Sequence, residues 1–124
     1  MATESKRQQR FAGVIQQDLA EIFQREGGGW LPGVMITVTK VRVTSDLGIA
    51  RVYLSFLGSK DSKEALEQIR VKANEVRYKL GTRIRNQTKS IPLLEFFVDD
   101  SIEYQEHIDK LFEDINKDDK QAKD

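Results

Sequence analysis

Cysteine is absent from all 124 residues, so neither a disulfide framework nor a thiolate metal site is available, and the chain suits a reducing compartment. Histidine occurs once, at His107 on the margin of a predicted helix, and no carboxylate pair has a recognisable partner. Nucleophilic and general acid-base chemistry are thereby left without a constellation. Asp99 and Asp100 stand together, but their place ahead of a helix assigns them to capping, and no further oxygen ligands follow at a useful spacing. No enzyme, no metal, no cofactor and no small-molecule substrate is expected. Long hydrophobic runs are also missing: none approaches the roughly 20 residues needed to cross a bilayer, and Met1 to Arg10 lacks the apolar core of a secretory signal. A cytoplasmic protein with no membrane partner is expected, a monomer of one domain over residues 1–115 with a polar, disordered tail over 116–124.

Charge is plentiful, and its two signs cancel. Twenty Lys and Arg meet 20 Asp and Glu for a formal net charge of zero, which argues against a protein that is basic everywhere. The signs are nevertheless segregated, basic before Pro92 and acidic after it. A polarised molecule can orient on a nucleic acid with its acidic part held away.

The stretch from Asp61 to Pro92 carries most of that positive charge. Leu66, Ile69, Ala73, Val76, Leu80 and Ile84 recur at three- and four-residue spacing, the period of a helix with one buried stripe. At a hundred degrees per residue Arg70 and Arg77 flank the stripe on one side, and Lys72, Lys79 and Arg83 flank it on the other. Arg85 and Lys89 continue the charge past the helix end, with only Glu67 and Glu75 in opposition. Long cationic side chains also line buried stripes simply because their methylene stems cover apolar surface. The scarcity of compensating acids at i,i+4 favours a phosphate backbone as the counterpart. Arg7, Arg10 and Arg42 are secondary candidates for the same contact. On this reading Arg77 and Lys79 serve a ligand and not the fold.

The remaining elements follow from periodicity and punctuation. Phe11, Val14, Ile15, Leu19, Ile22 and Phe23 predict a first helix over Ser5 to Glu26, ended by Gly27, Gly28 and Gly29. That glycine run is no nucleotide loop, since it closes a helix and no Lys-Ser/Thr pair follows it. Trp30, Leu31 and Pro32 are placed at the core edge. Val34 to Val43 alternates as a strand whose apolar phase slips at Lys40, predicting a bulge or a sharp twist near that residue. Ile49 to Leu57 buries Ala50, Val52, Leu54 and Phe56 and turns Arg51, Tyr53 and Ser55 outward, completing an antiparallel hairpin whose turn Asp46 holds. Asp61 with Glu64 has the pattern of a capping box, and Pro92 bars any continuation of the helix. Leu93 to Val98 is a third strand, and Tyr104, Ile108, Leu111, Phe112 and Ile115 give a final helix. The order α-β-β-α-β-α, with a helical crossover between the second and third strands, predicts an α+β domain with a small mixed sheet covered by helices on one face.

This order resembles the type II, bacterial kind of KH domain. The run Ile36-Thr37-Val38-Thr39-Lys40-Val41-Arg42-Val43-Thr44-Ser45-Asp46-Leu47, continued by Ala50 to Ser55, is similar to the hairpin signature of the ribosome-binding factor A family. Arg7, Arg10, Arg77, Leu80-Gly81, Ile84, Pro92, Leu94, Phe96 and Asp100-Ser101 extend the resemblance, which covers about Lys6 to Ile115. It implies a non-enzymatic assembly factor that binds free 30S subunits and promotes late maturation and processing of 16S rRNA, often needed in the cold. The family replaces the Gly-x-x-Gly loop of other KH domains with a helix interrupted at an Ala-x-Gly turn. The matching positions here are Lys72, Ala73 and Asn74, a departure at both fixed places, with Asn74 the residue able to take a positive φ. An alternative from another class is a protein adaptor that docks an acidic partner on its basic helix.

Val76→Asp would put an unpaired carboxylate on the buried side of the stripe and should leave the protein without a cooperative melt by circular dichroism. A midpoint equal to that of the unaltered protein would mean the helix faces the other way.

Overall fold

The structure, a computed structural model, describes residues 4–99. The predicted final helix, with His107, Asp100-Ser101 and the acidic C-terminal stretch, lies outside the described residues. Within them the order is α1 (Lys6–Trp30), β1 (Met35–Val43), β2 (Ile49–Leu57), α2 (Ser62–Val71), α3 (Ala73–Ile84) and β3 (Leu93–Val98). The strands form one mixed sheet in the order β1-β2-β3, antiparallel between β1 and β2 and parallel between β2 and β3. This is the α+β arrangement anticipated from the crossover.

The phase slip in β1 has a structural cause. Val38 pairs with Leu54 and Lys40 with Tyr53, leaving Thr39 as the extra residue of a bulge. Absorbing that residue lets Val38, Val41 and Val43 all face the core despite their odd spacing. The Thr39 hydroxyl donates to Tyr53 O at 3.3 Å and to Asp99 Oδ2 at 2.5 Å. Asp99 thus helps hold the sheet, through Thr39 and through its own N–H on Leu54 O, and the helix it was expected to cap lies outside the described residues. Ser55, placed on the outward face by the alternation, is nonetheless buried.

α1 starts on a complete capping box between Ser5 and Gln8 and does not stop at the glycines. Gly27, Gly28 and Gly29 are helical, and the cap is Leu31, whose N–H donates to Gly27 O at 2.8 Å. The correction has a packing reason. Gly27 lies where α1 crosses β1, and a Cβ there would come within 3.1 Å of Ile36 Cδ1. The turn is made further on by Gly33, at φ 79°. Leu31 is buried and Trp30 packs edge-on against Phe23, whereas Pro32 is exposed.

The long helical stretch is broken at Lys72, where φ is −90° and ψ is 5°. Its N–H reaches back only three residues, to Ile69 O at 2.9 Å, while its carbonyl starts the next helix by accepting from Val76 N. Asn74 is helical and supplies no positive φ; among the described non-glycine residues only Leu47 does, at 61°. The break lets one stretch cover two surfaces. Ala65, Leu66 and Ile69 of α2 cover β2 and β3, and Val76, Leu80 and Ile84 of α3 fill the space against α1 and β3. Asp61 caps α2 through Lys63 N and Glu64 N, but Ser59 Oγ takes the Asp61 N–H that a full capping box would give to Glu64.

Gly28→Ala should stabilise the protein by about 0.5 kcal/mol, because the position is helical and a Cβ meets nothing within 4 Å. Gly27→Ala should gain less or lose stability against Ile36. Urea midpoints of the two variants measured side by side check this; destabilisation by Gly28→Ala would return the glycines to a turn.

Candidate nucleic-acid interface

The two rows of cations beside the α2–α3 stripe are largely spent on the protein itself. Arg77 donates Nε to Pro92 O at 3.0 Å and Nη2 to Ile91 O at 2.7 Å. Arg70 donates to Phe96 O at 3.0 Å and pairs with Glu67 at 2.5 Å. Across the stripe, Lys79 pairs with Glu26 at 3.3 Å, and Arg83 pairs with Asp18 at 3.6 Å and with Glu21. The acids missing from α3 itself are thus provided by α1. A sequence scan along a single helix does not see them, because Asp18, Glu21 and Glu26 lie some sixty residues upstream of their partners on another element.

Five of the predicted cations remain exposed with no ion pair among the described residues: Arg7, Arg10, Lys72, Arg85 and Lys89. Arg42 sits 3.9 Å from Glu4, a contact too loose and too exposed to hold it. Three of the five converge. Arg7 and Arg10, from the first turns of α1, and Lys89, from the loop after α3, line one groove of about 810 Å³. Its floor holds Phe11, Val14 and Leu47, and its rim carries the polar side chains of Asn86, Gln87 and Thr88. The first turn of α1 contains no acid, so the positive end of the helix dipole adds to the same field.

Among the described residues Asp46 is the one anion lining the groove. Its carboxylate accepts from Thr44 Oγ1 at 2.7 Å and from Gly48 N at 2.9 Å, and these bonds, the threonine's first, hold its pKa below the usual carboxylate range. The acid is therefore committed to the hairpin turn, as the sequence indicated. The turn then meets the loop after α3 where Leu93 N donates to Gly48 O at 2.9 Å. Asn86, Gln87, Thr88 and Phe11 had no signal as groove residues in the sequence, since three segments far apart in the chain must meet before a groove exists.

Among the described residues no group of three or more His, Asp or Glu could hold a metal ion, and no helix is long and apolar enough to cross a membrane. A small α+β scaffold with an open cationic groove at one end of its sheet is what the fold and the site define. Residues 7–112 match the family described as Ribosome-binding factor A. Proteins of that name from Christiangramia forsetii and Chlorobium luteolum are 41% and 40% identical to the chain, over 86% and 93% of it and over 82% and 96% of their own lengths. In fold it is similar to the crystal structure of ribosome-binding factor A from Thermus thermophilus, with a TM-score of 0.62 at 22% identity over 73% of this chain and 94% of that one. A Thermus thermophilus ribosome-binding factor A fitted into the cryo-EM map of its complex with 30S aligns with a TM-score of 0.59 at 24% identity, over 72% and 91% of the two chains. The chain belongs to the ribosome-binding factor A family, whose members are non-catalytic assembly factors.

Arg77→Ala should cost about 2 kcal/mol, because two charge-assisted bonds to backbone carbonyls are lost from a half-buried site. Lys79→Ala should cost less than about 1 kcal/mol, the value of a surface pair. Urea denaturation of both variants decides whether Arg77 belongs to the fold: equal, small losses would return it to the surface.

Proposed function

We propose that this protein binds RNA of the free small ribosomal subunit during late maturation of 16S rRNA, and that the groove lined by Arg7, Arg10 and Lys89 is its main phosphate contact. The observation that carries this is the convergence, from two distant segments on one open groove, of three cations with no ion pair among the described residues. Unpaired cations gathered on one side of a molecule with no net charge are costly in mutual repulsion, and a phosphate backbone relieves that cost. Arg85 lies at the far end of the loop that carries Lys89 and extends the positive strip, and Lys72 stands exposed at the break between α2 and α3. Arg70, Arg77, Lys79 and Arg83 take a supporting part, holding the loop, the strand and α1 in place. The relatives' name, and the Thermus protein's complex with 30S, agree with such a partner. A cytoplasmic monomer with a KH-like arrangement fits the same reading. An adaptor docking an acidic protein on the basic helix is the weaker alternative, since Lys79 and Arg83 are already occupied by Glu26, Asp18 and Glu21.

The double variant Arg10→Glu with Lys89→Glu should sediment apart from free small subunits while keeping the melting midpoint of the unaltered protein. Its affinity for subunit RNA should fall at least about tenfold, with the slope of log affinity against log salt reduced by about two. Unchanged cosedimentation and slope would take the groove out of the interface.

A further inference from the structure

Beyond the groove, one aromatic side chain stands apart from the rest among the described residues. Phe11, Phe23, Phe56 and Phe96 are buried, and Trp30, Tyr53 and Phe97 are half-buried in ring contacts with other aromatics. Tyr78 is 74% exposed and has no ring contact among the described residues. It is not at a loop tip, where exposure is cheap. It stands in the middle of α3, between the fixed residues Arg77 and Lys79.

Its surroundings match one kind of ligand. Two clefts meet at Tyr78 and Thr82, one of about 230 Å³ toward α1 and one of about 490 Å³ toward the loop after α3, so the ring forms a ridge open on both sides. The second cleft carries Asn74 one turn before Tyr78 and Arg85 two turns after it, on the same side of the helix. An exposed amide, an open phenol ring and a guanidinium with no ion pair among the described residues offer, at this spacing, hydrogen bonds to a base edge, a stacking face and a phosphate contact, respectively. Glu75, one turn earlier and exposed, is the acid nearest along the helix, and the acid on the other side, Glu26, is paired with Lys79. The cleft is continuous with the basic groove through the loop from Arg85 to Ile91, whose middle residues line the groove and whose ends line the cleft.

We infer that Tyr78 is a stacking platform for an unpaired RNA base, with Arg85 on the adjacent phosphate, so that one strand runs from the groove across the loop and ends its contact on α3. This site rests on the RNA-binding function proposed above. It adds a preference: the strand must be single at this point, because a paired base cannot offer its face to the ring. The exposed Val71, the last residue of α2, would equally suit a protein contact, and the test separates the two.

The probe is a short mixed-sequence RNA carrying 2-aminopurine, used single-stranded and as a duplex, with the full chain. Tyr78→Ala should weaken binding of the single strand about tenfold and abolish the quenching of 2-aminopurine, while Tyr78→Phe keeps both and duplex binding is unaffected by either. If Tyr78→Ala binds and quenches like the unaltered protein while Arg10→Glu with Lys89→Glu loses the RNA, stacking is overturned and RNA binding stands. If both variants bind the RNA like the unaltered protein, RNA binding falls and stacking falls with it. If Tyr78→Ala weakens association only with intact subunits and not with protein-free RNA, the ring meets a subunit protein and stacking is overturned.

Discussion

The guanidinium of Arg77 on the carbonyls of Ile91 and Pro92 is the contact on which the rest of the surface depends. Pro92 is fully buried and immediately precedes β3, so the two bonds fix where the third strand begins. The same bonds anchor one end of the loop 85–91, and Arg85 N on Gly81 O anchors the other at 3.0 Å. Between those anchors the loop presents Asn86 to Lys89 to the groove. A lysine could not substitute: one ammonium is a point charge, while the planar guanidinium spans two successive carbonyls at once. Gly81 supports the arrangement from beneath, since a Cβ there would come within 3.2 Å of Ile91 Cγ1.

The partition of the cations follows from burial. A half-buried charge must recover the hydration it loses, so Arg77, Lys79 and Arg83 on the margin of the α2–α3 stripe have each found a carbonyl or a carboxylate, and the more exposed Arg70 reaches Phe96 O as well. Arg70 and Arg77 face the sheet, where carbonyls are available, and Lys79 and Arg83 face α1, where the acids are. Arg7, Arg10, Lys72, Arg85 and Lys89 remain exposed and have no such need. Position relative to the core, and not position along one helix, decides which charges are offered to a ligand.

Much of the fold was legible in the sequence because it is written in periodicity. The bulge at Thr39 followed from a slip in alternation, the parallel strand pair from a helical crossover, and the capping by Asp61 from one residue ahead of an apolar run. The errors came where tertiary contact overrides local preference. Three consecutive glycines read as a stop, yet close approach to Ile36 keeps Gly27 inside α1. The break does fall within the expected Lys72-Ala73-Asn74 stretch, but on Lys72 and without the positive φ that Asn74 tolerates. The basic stripe read as one surface because a helical wheel shows which side chains share a flank and says nothing of what a neighbouring helix brings to meet them.

A groove assembled this way ties binding to folding. The first turn of α1, the hairpin turn at Asp46 to Gly48 and the loop 85–91 are separate in the chain, and only the packed core brings them together. On the function proposed above, an anion held among the three would favour the native state over the unfolded one by RT ln(1 + [L]/Kd), about 2.7 kcal/mol at a hundredfold excess over Kd. The cations contribute nothing of this kind in the free protein, where their mutual repulsion opposes the meeting of the segments. The bonds from Arg77 and the burial beneath them must therefore hold the groove open against that repulsion before any ligand arrives. This gives the interior of the helix face and the exposed rim opposite electrostatic tasks: the paired charges close the structure, and the exposed ones, on the function proposed above, would meet a polyanion.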